Sequence, residues 1–162
     1  MWTKLLTLFV LVGTAFGQSY DYIKKRAEFA RAIARTEGCY VKGSIPNRYH
    51  NCGDLKRMNK ERVYLGQIGV GKGGHIIFRD NASGWAALLQ QIDKILAGES
   101  KFYTPEMTLQ QMGKFYAQNS RLWAKNLARN LGVSPSTTLE EYFEIPPRIK
   151  VEPKEMSWSN LR

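Results

Sequence analysis

Glu37 is the residue whose position asks for a chemical explanation. It closes an apolar stripe, Ile23, Ala27, Ala30 and Ala34, whose steps of four and three keep one side of a helix against a core. Gly38 follows, the residue that most often ends a helix in the left-handed conformation. The helix macrodipole disfavours an anion at this end by about 0.3 kcal/mol or more, so Lys or Arg would be the inexpensive choice. One explanation is fraying, with the side chain turned to water. The other places the acid at a cleft edge beside Tyr40, under a loop clamped by Cys39 and Cys52. Partial desolvation would then raise its pKa until it keeps a proton near neutrality, which is what protonating a glycosidic oxygen requires.

The loop after Gly38 carries further candidates. Asp54 is either a second carboxylate supporting positive charge or positioning water, or an acid spent on nearby backbone N–H groups, the role that an Asn-x-Gly-Asp loop favours. Tyr49, Tyr64, Tyr103 and Tyr116, with Trp85, offer aromatic faces suited to a sugar groove. Asn51 stands beside them. Trp85 and Trp123 also lie at helical spacing within apolar stripes, and the core reading prevails for both. His50, with Asn51 and Arg57, lacks the partner ligands of a metal-dependent nuclease, and His75 opens a strand as a surface or hydrogen-bonded residue. GVGKGG lacks the Lys-Ser/Thr ending of a phosphate loop. No metal site and no cofactor are expected.

The chain begins MWTKLLTLFVLVGTAFGQS, with a basic start, an apolar run and a small-x-small ending, the pattern of a secretory signal peptide over 1–17 cut before Gln18. The apolar run falls short of the roughly 20 residues of a stable membrane anchor. Export makes a disulfide the default state of the lone pair Cys39 and Cys52. A formal net charge of +10 favours an acidic partner, whether cell-wall polymer, nucleic acid or anionic membrane surface.

The elements that must position these residues follow from periodicity and punctuation. A helix is expected from Tyr22 to Glu37, then an ordered turn-rich loop over 40–61, then a hairpin in which VYLGQIGV and HIIF flank Gly71–Gly74. ASGWAALLQQIDKILAG places Trp85, Leu88, Leu89, Ile92 and Leu96 on one helix face and ends at Gly98. Further helices start after Thr108, with Leu109, Met112, Phe115 and Tyr116 inward, and run from about Arg121 to Leu131 before Gly132. Thr138 caps a last short helix, LEEYF, and 146–162 is expected to be an extended or disordered tail.

FARAIARTEG, the loop IPNRYHNCGDL and the hairpin leading into FRDNASGWAALLQQI together resemble bacterial and phage lysozyme-like proteins. Their pattern is a helix ending in Glu-Gly, an Asn-Asn-Pro-Gly-Asn-Leu loop, and a helix opening with a short acidic turn and Gly-Trp. Here Glu37-Gly38, His50 to Leu55, and Ser83-Gly84-Trp85 occupy those places, and the similarity runs from about Phe29 to Leu139. Cys52 stands where proline is expected and Asp54 where asparagine is expected. In that superfamily, which includes lytic transglycosylases, the glutamate ending the first core helix is the catalytic acid, and the resemblance carries that role to Glu37. It implies a lysozyme-like α+β domain, mainly helical, over 18–145, with a small hairpin after the first core helix.

The expectation is an exported, secreted or periplasmic, monomeric protein acting on the glycan of peptidoglycan as a muramidase or lytic transglycosylase. Glu37 would be the acid, and Tyr49, Asn51, Asp54, Tyr64 and Tyr116 would shape the substrate site. The alternative is a noncatalytic glycan- or wall-binding module. A nucleic-acid partner is not expected.

Overall fold

Helix punctuation written in the sequence sets most of the architecture seen in the computed structural model, which describes residues 3–57 and 63–145. The tail expected over 146–162 lies outside the described residues. The elements run α1 (Thr3–Thr36), α2 (Ile45–Arg48), β1 (Gln67–Val70), β2 (Ile76–Phe78), α3 (Asn81–Leu96), α4 (Leu109–Tyr116), α5 (Ser120–Leu131) and α6 (Leu139–Phe143), giving an α+β chain with one two-stranded antiparallel hairpin. Local chemistry explains the boundaries. Asp80 accepts from the Ser83 N–H at the start of α3, and Thr108 and Thr138 form reciprocal capping boxes with Gln111 and Glu141. Gly132 ends α5 at φ 71°. No described helix is long and apolar enough to cross a membrane.

Two expectations about burial are corrected. The helix expected from Tyr22 is continuous from Thr3, and its packed side takes in both the lower part of the stripe read in the sequence, Ala30 and Ala34, and the row one residue earlier. Tyr22, Arg26, Phe29 and Ile33, spaced four, three and four, are the positions that α3 and α6 engage. Tyr22 donates to Asp93 at 3.1 Å, Arg26 pairs with Asp93, and Phe29 meets Phe143 edge-on at 5.4 Å. Ile33 is buried in the same core, whereas Ile23 steps round to water and is 59% exposed. Ala30 and Ala34 are fully buried on the flank of this packed side. Phe115, expected inward on α4, is 55% exposed and meets only the edge of the Tyr103 ring among aromatic neighbours. Leu109 and Met112 fill the core on that helix.

The main core joins Phe29 and Ile33 to Leu88 and Ile92 of α3, Leu127 of α5, and Leu139 and Phe143 of α6. A second cluster, Leu55, Ile76, Phe78 and Ala87, fixes the hairpin to the start of α3. Hairpin register pairs Gln67 with Phe78, Gly69 with Ile77 and Val70 with Ile76, with an irregularity between Gln67 and Gly69. The site loop joins this sheet through Lys56 opposite His75, and through backbone bonds from Ile76 N to Leu55 O (2.9 Å) and Arg57 N to Gly74 O (2.9 Å). A short helix, α2, stands where only loop was expected. Ser44 caps it through the Asn47 N–H, and Pro46 occupies its first turn, where the missing N–H costs nothing.

Candidate active site

Glu37 is the C-cap of α1, one residue beyond the last helical position. The turn that follows is a Schellman motif. Gly38 adopts φ 73° and donates to Arg35 O at 3.1 Å, while Cys39 donates to Ala34 O at 2.9 Å. This motif brings the residue after the glycine back against the helix, and Cys39 packs there on Ala34. It also brings Cys39 within 4.9 Å, Cα to Cα, of Cys52, to which it is disulfide-bonded. Trp85, partly buried, packs against this cluster.

The Glu37 side chain turns inward to α5, where the Trp123 indole N–H donates to its Oε1. Indole nitrogen only donates, so Oε1 is held as an acceptor and the acid proton belongs on Oε2. Trp123 is itself buried and stacks on Tyr116 at 4.6 Å with planes 21° apart. Close approach of α4 and α5 allows that stack. A Cβ on Gly113 would come 2.6 Å from Ser120 O, so only glycine lets the corner close this tightly. Tyr116 in turn donates through its hydroxyl to Gly53 O, tying α4 to the disulfide loop. Tyr103 completes the aromatic side, 6.2 Å from Tyr116.

Burial pushes the Glu37 carboxyl up to about 7. The indole hydrogen bond and Lys56 oppose the rise, and the nearby Asp54 charge adds to it. Tyr103 is held up at about 12, by burial first and the Glu37 charge second, and Tyr116 is raised by the same causes. Both therefore keep their phenolic protons at neutral pH.

Across from the aromatic wall, Asp54 sits in the left-handed region at φ 48°, a conformation that Asp and Asn tolerate better than most side chains. Its Oδ1 lies 2.7 Å from Nδ1 of His75, which follows the hairpin link. Burial raises the Asp54 carboxyl, while His75 and Lys56 draw it back down.

The structure sorts the residues expected at the site. Glu37, Asp54 and Tyr116 come together. Asn51 does not join them as a surface contact. It is fully buried, its amide donates to Leu55 O and Ile76 O, and its carbonyl accepts from Leu55 N, each at 2.9 Å. Its work is to shape the loop, and the expectation that it touches substrate is corrected accordingly. Tyr49 covers Gly71, and its hydroxyl accepts from Lys72 N at 3.4 Å. Tyr64 packs edge-on against Phe78, and its hydroxyl donates to Gln91. Both tyrosines support the hairpin. His50 bonds Asn81 at 2.9 Å, joining the loop to α3.

Trp123, Lys56 and His75 are site residues that the sequence reading left in the core, in the loop, and as a surface or hydrogen-bonded residue. Only Trp123 carried a usable signal, a polar N–H that a buried indole must satisfy. Two concavities lie elsewhere, one of about 300 Å³ against Ala27, Ala30, Arg31, Trp85 and Leu89, the other of about 250 Å³ against Glu28, Arg31, Arg35, Asn130, Leu131 and Tyr142. Among the described residues no cluster of three metal-ligating side chains occurs. No protein-family model, curated protein or solved structure matches the chain.

Proposed function

We propose that this is an exported, lysozyme-like enzyme that cleaves the glycan strand of peptidoglycan, with Glu37 as general acid. The observation that carries the reading is a carboxyl raised to about 7 whose Oε1 is fixed by an indole N–H, leaving Oε2 to hold a proton near neutrality. In the reaction Oε2 passes its proton to the bridging oxygen as the bond from that oxygen to the anomeric carbon breaks, the electron pair staying on oxygen. The positive charge left on the sugar is captured by an oxygen nucleophile, whose displaced proton restores Glu37. Net charge of +10 suits a substrate bearing peptide carboxylates and acidic wall polymers.

A noncatalytic glycan-binding module is the second reading, favoured by the position of both concavities away from Glu37. Turbidity clearance of purified peptidoglycan by the parent protein and Glu37→Gln decides between them. Clearance by the parent and its loss in the variant support the acid role. Binding without clearance by the parent supports the module, and equal clearance by both proteins refutes Glu37 as the acid.

A further inference from the structure

The mechanism above uses one carboxyl, yet a second titratable pair lies beside it without an assigned task. The Asp54 and His75 side chains are only 20% and 13% exposed, and their facing atoms, Oδ1 and Nδ1, are buried 2.7 Å apart as an ion pair, neither atom having a partner in hydrogen-bond geometry among the described residues. Several backbone features converge on that approach. Asp54 is turned by its left-handed conformation, and Asp54 N donates to Asn51 O at 2.9 Å. Lys56 pairs opposite His75, which fixes the loop against the hairpin at His75 itself and two residues after Asp54. Gly73, at φ 69°, leaves room for the imidazole, since a Cβ there would come 3.2 Å from His75 Cδ2. A loop needing only a turn-forming acid would satisfy the carboxylate with local N–H groups, whereas this one reaches 21 residues along the chain to an imidazole.

We infer that His75 is a positioning residue that holds Asp54 as a charged carboxylate beside Glu37, so that the site presents two acids with divided roles. The inference rests on the reading of Glu37 as the general acid. Asp54 supplies negative charge toward the sugar cation, while its charge also favours the protonated form of Glu37. The other titratable groups that face this arrangement are Lys56 from the loop, which is charged, and Tyr116 from α4, which is neutral. Of these, Lys56 assists His75 in keeping Asp54 ionised.

Carboxyl-carbon NMR titration of Asp54 in the full chain tests the inference without turnover. His75→Leu removes the imidazole facing Asp54 and is expected to raise the Asp54 midpoint by about one pH unit or more. His75→Asn, whose amide N–H occupies the place of Nδ1, is expected to restore most of it. If the leucine variant fails to fold, His75→Gln, which carries its amide at the Nε2 position, takes its place. In peptidoglycan clearance the acidic limb of the pH profile should move with Asp54, so that activity at the foot of that limb falls about tenfold per unit moved, while the alkaline limb set by Glu37 moves less. An Asp54 midpoint unchanged in a folded His75→Leu or His75→Gln protein overturns the inference. So does an acidic limb that stays in place while the midpoint moves. A parent that clears no peptidoglycan refutes the glycan-cleaving reading instead, and the NMR midpoint still decides whether His75 holds Asp54.

Discussion

Replacing Glu37 by Gln should make the protein more stable and less active, in amounts that depend on pH in opposite ways. The folded carboxyl is raised from 4.5 to about 7, and each pKa unit is worth about 1.4 kcal/mol. The largest possible effect is about 3 kcal/mol. Partial access of water to the site reduces this to about 2 kcal/mol. Below pH 4.5 both folded and unfolded chains carry the proton, and this penalty is absent. Between 4.5 and 7 the unfolded chain ionises while the folded chain holds its proton, so parent stability falls as pH rises. Above 7 the whole penalty is present. Gln has no such cost and still accepts the indole hydrogen bond. The difference in Tm between variant and parent should therefore grow by roughly 4–8 °C from pH 4 to pH 8. Clearance of peptidoglycan should fall by at least about 100-fold at pH 6. Calorimetric scans of both proteins at three pH values read the first effect and turbidity the second. A Tm difference that does not vary with pH would refute the burial argument, whatever happens to activity.

Trp123→Phe keeps the stack on Tyr116 but removes the N–H that favours the ionised form, so the Glu37 midpoint and the alkaline limb of activity should both move upward from about 7, as carboxyl NMR would record. Gly84→Ala places a Cβ 1.7 Å from His50 O, and the backbone must move to accommodate it. A loss of about 2 kcal/mol or more in denaturant unfolding is expected, with the loop between Tyr49 and Asp54 losing amide-exchange protection first. Exported protein should have an intact mass beginning near Gln18 with the Cys39–Cys52 bond closed. Reduction should cost about 3 kcal/mol while leaving far-UV circular dichroism nearly unchanged near room temperature, because the helical core lies apart from the bridge.

What could be read in the sequence was chemistry carried by the chain's own neighbours. Caps and terminators are local, so Gly38, Asp80, Thr108, Thr138 and Gly132 placed the helix ends to within a residue or two. A lone cysteine pair in a short loop announced its bridge. Stripe assignment was weaker at its start, because Ala30 and Ala34 are buried as expected while Ile23 is exposed, and only the partners on α3 and α6 show that Tyr22 and Arg26 are engaged there instead. Long-range pairings left no local mark of their partners, even where, as for the Trp123 N–H, the need for one could be read. The Asp54 approach to His75, the Trp123 bond to Glu37 and the Tyr116 bond to Gly53 span 21, 86 and 63 residues.

Those pairings explain why an acid can stand where the macrodipole disfavours it. Fraying would leave Glu37 in water with its ordinary pKa. Here α5 supplies a buried donor, α4 closes the aromatic side, and the disulfide-linked loop holds Asp54 nearby. The C-terminal helix dipole and the Asp54 charge act in the same direction on Glu37, both favouring the neutral acid. A cost of a few tenths of a kcal/mol in helix stability is thus an aid to keeping the proton, and Lys or Arg at this position would gain that small stability while removing the carboxyl proposed as the proton donor.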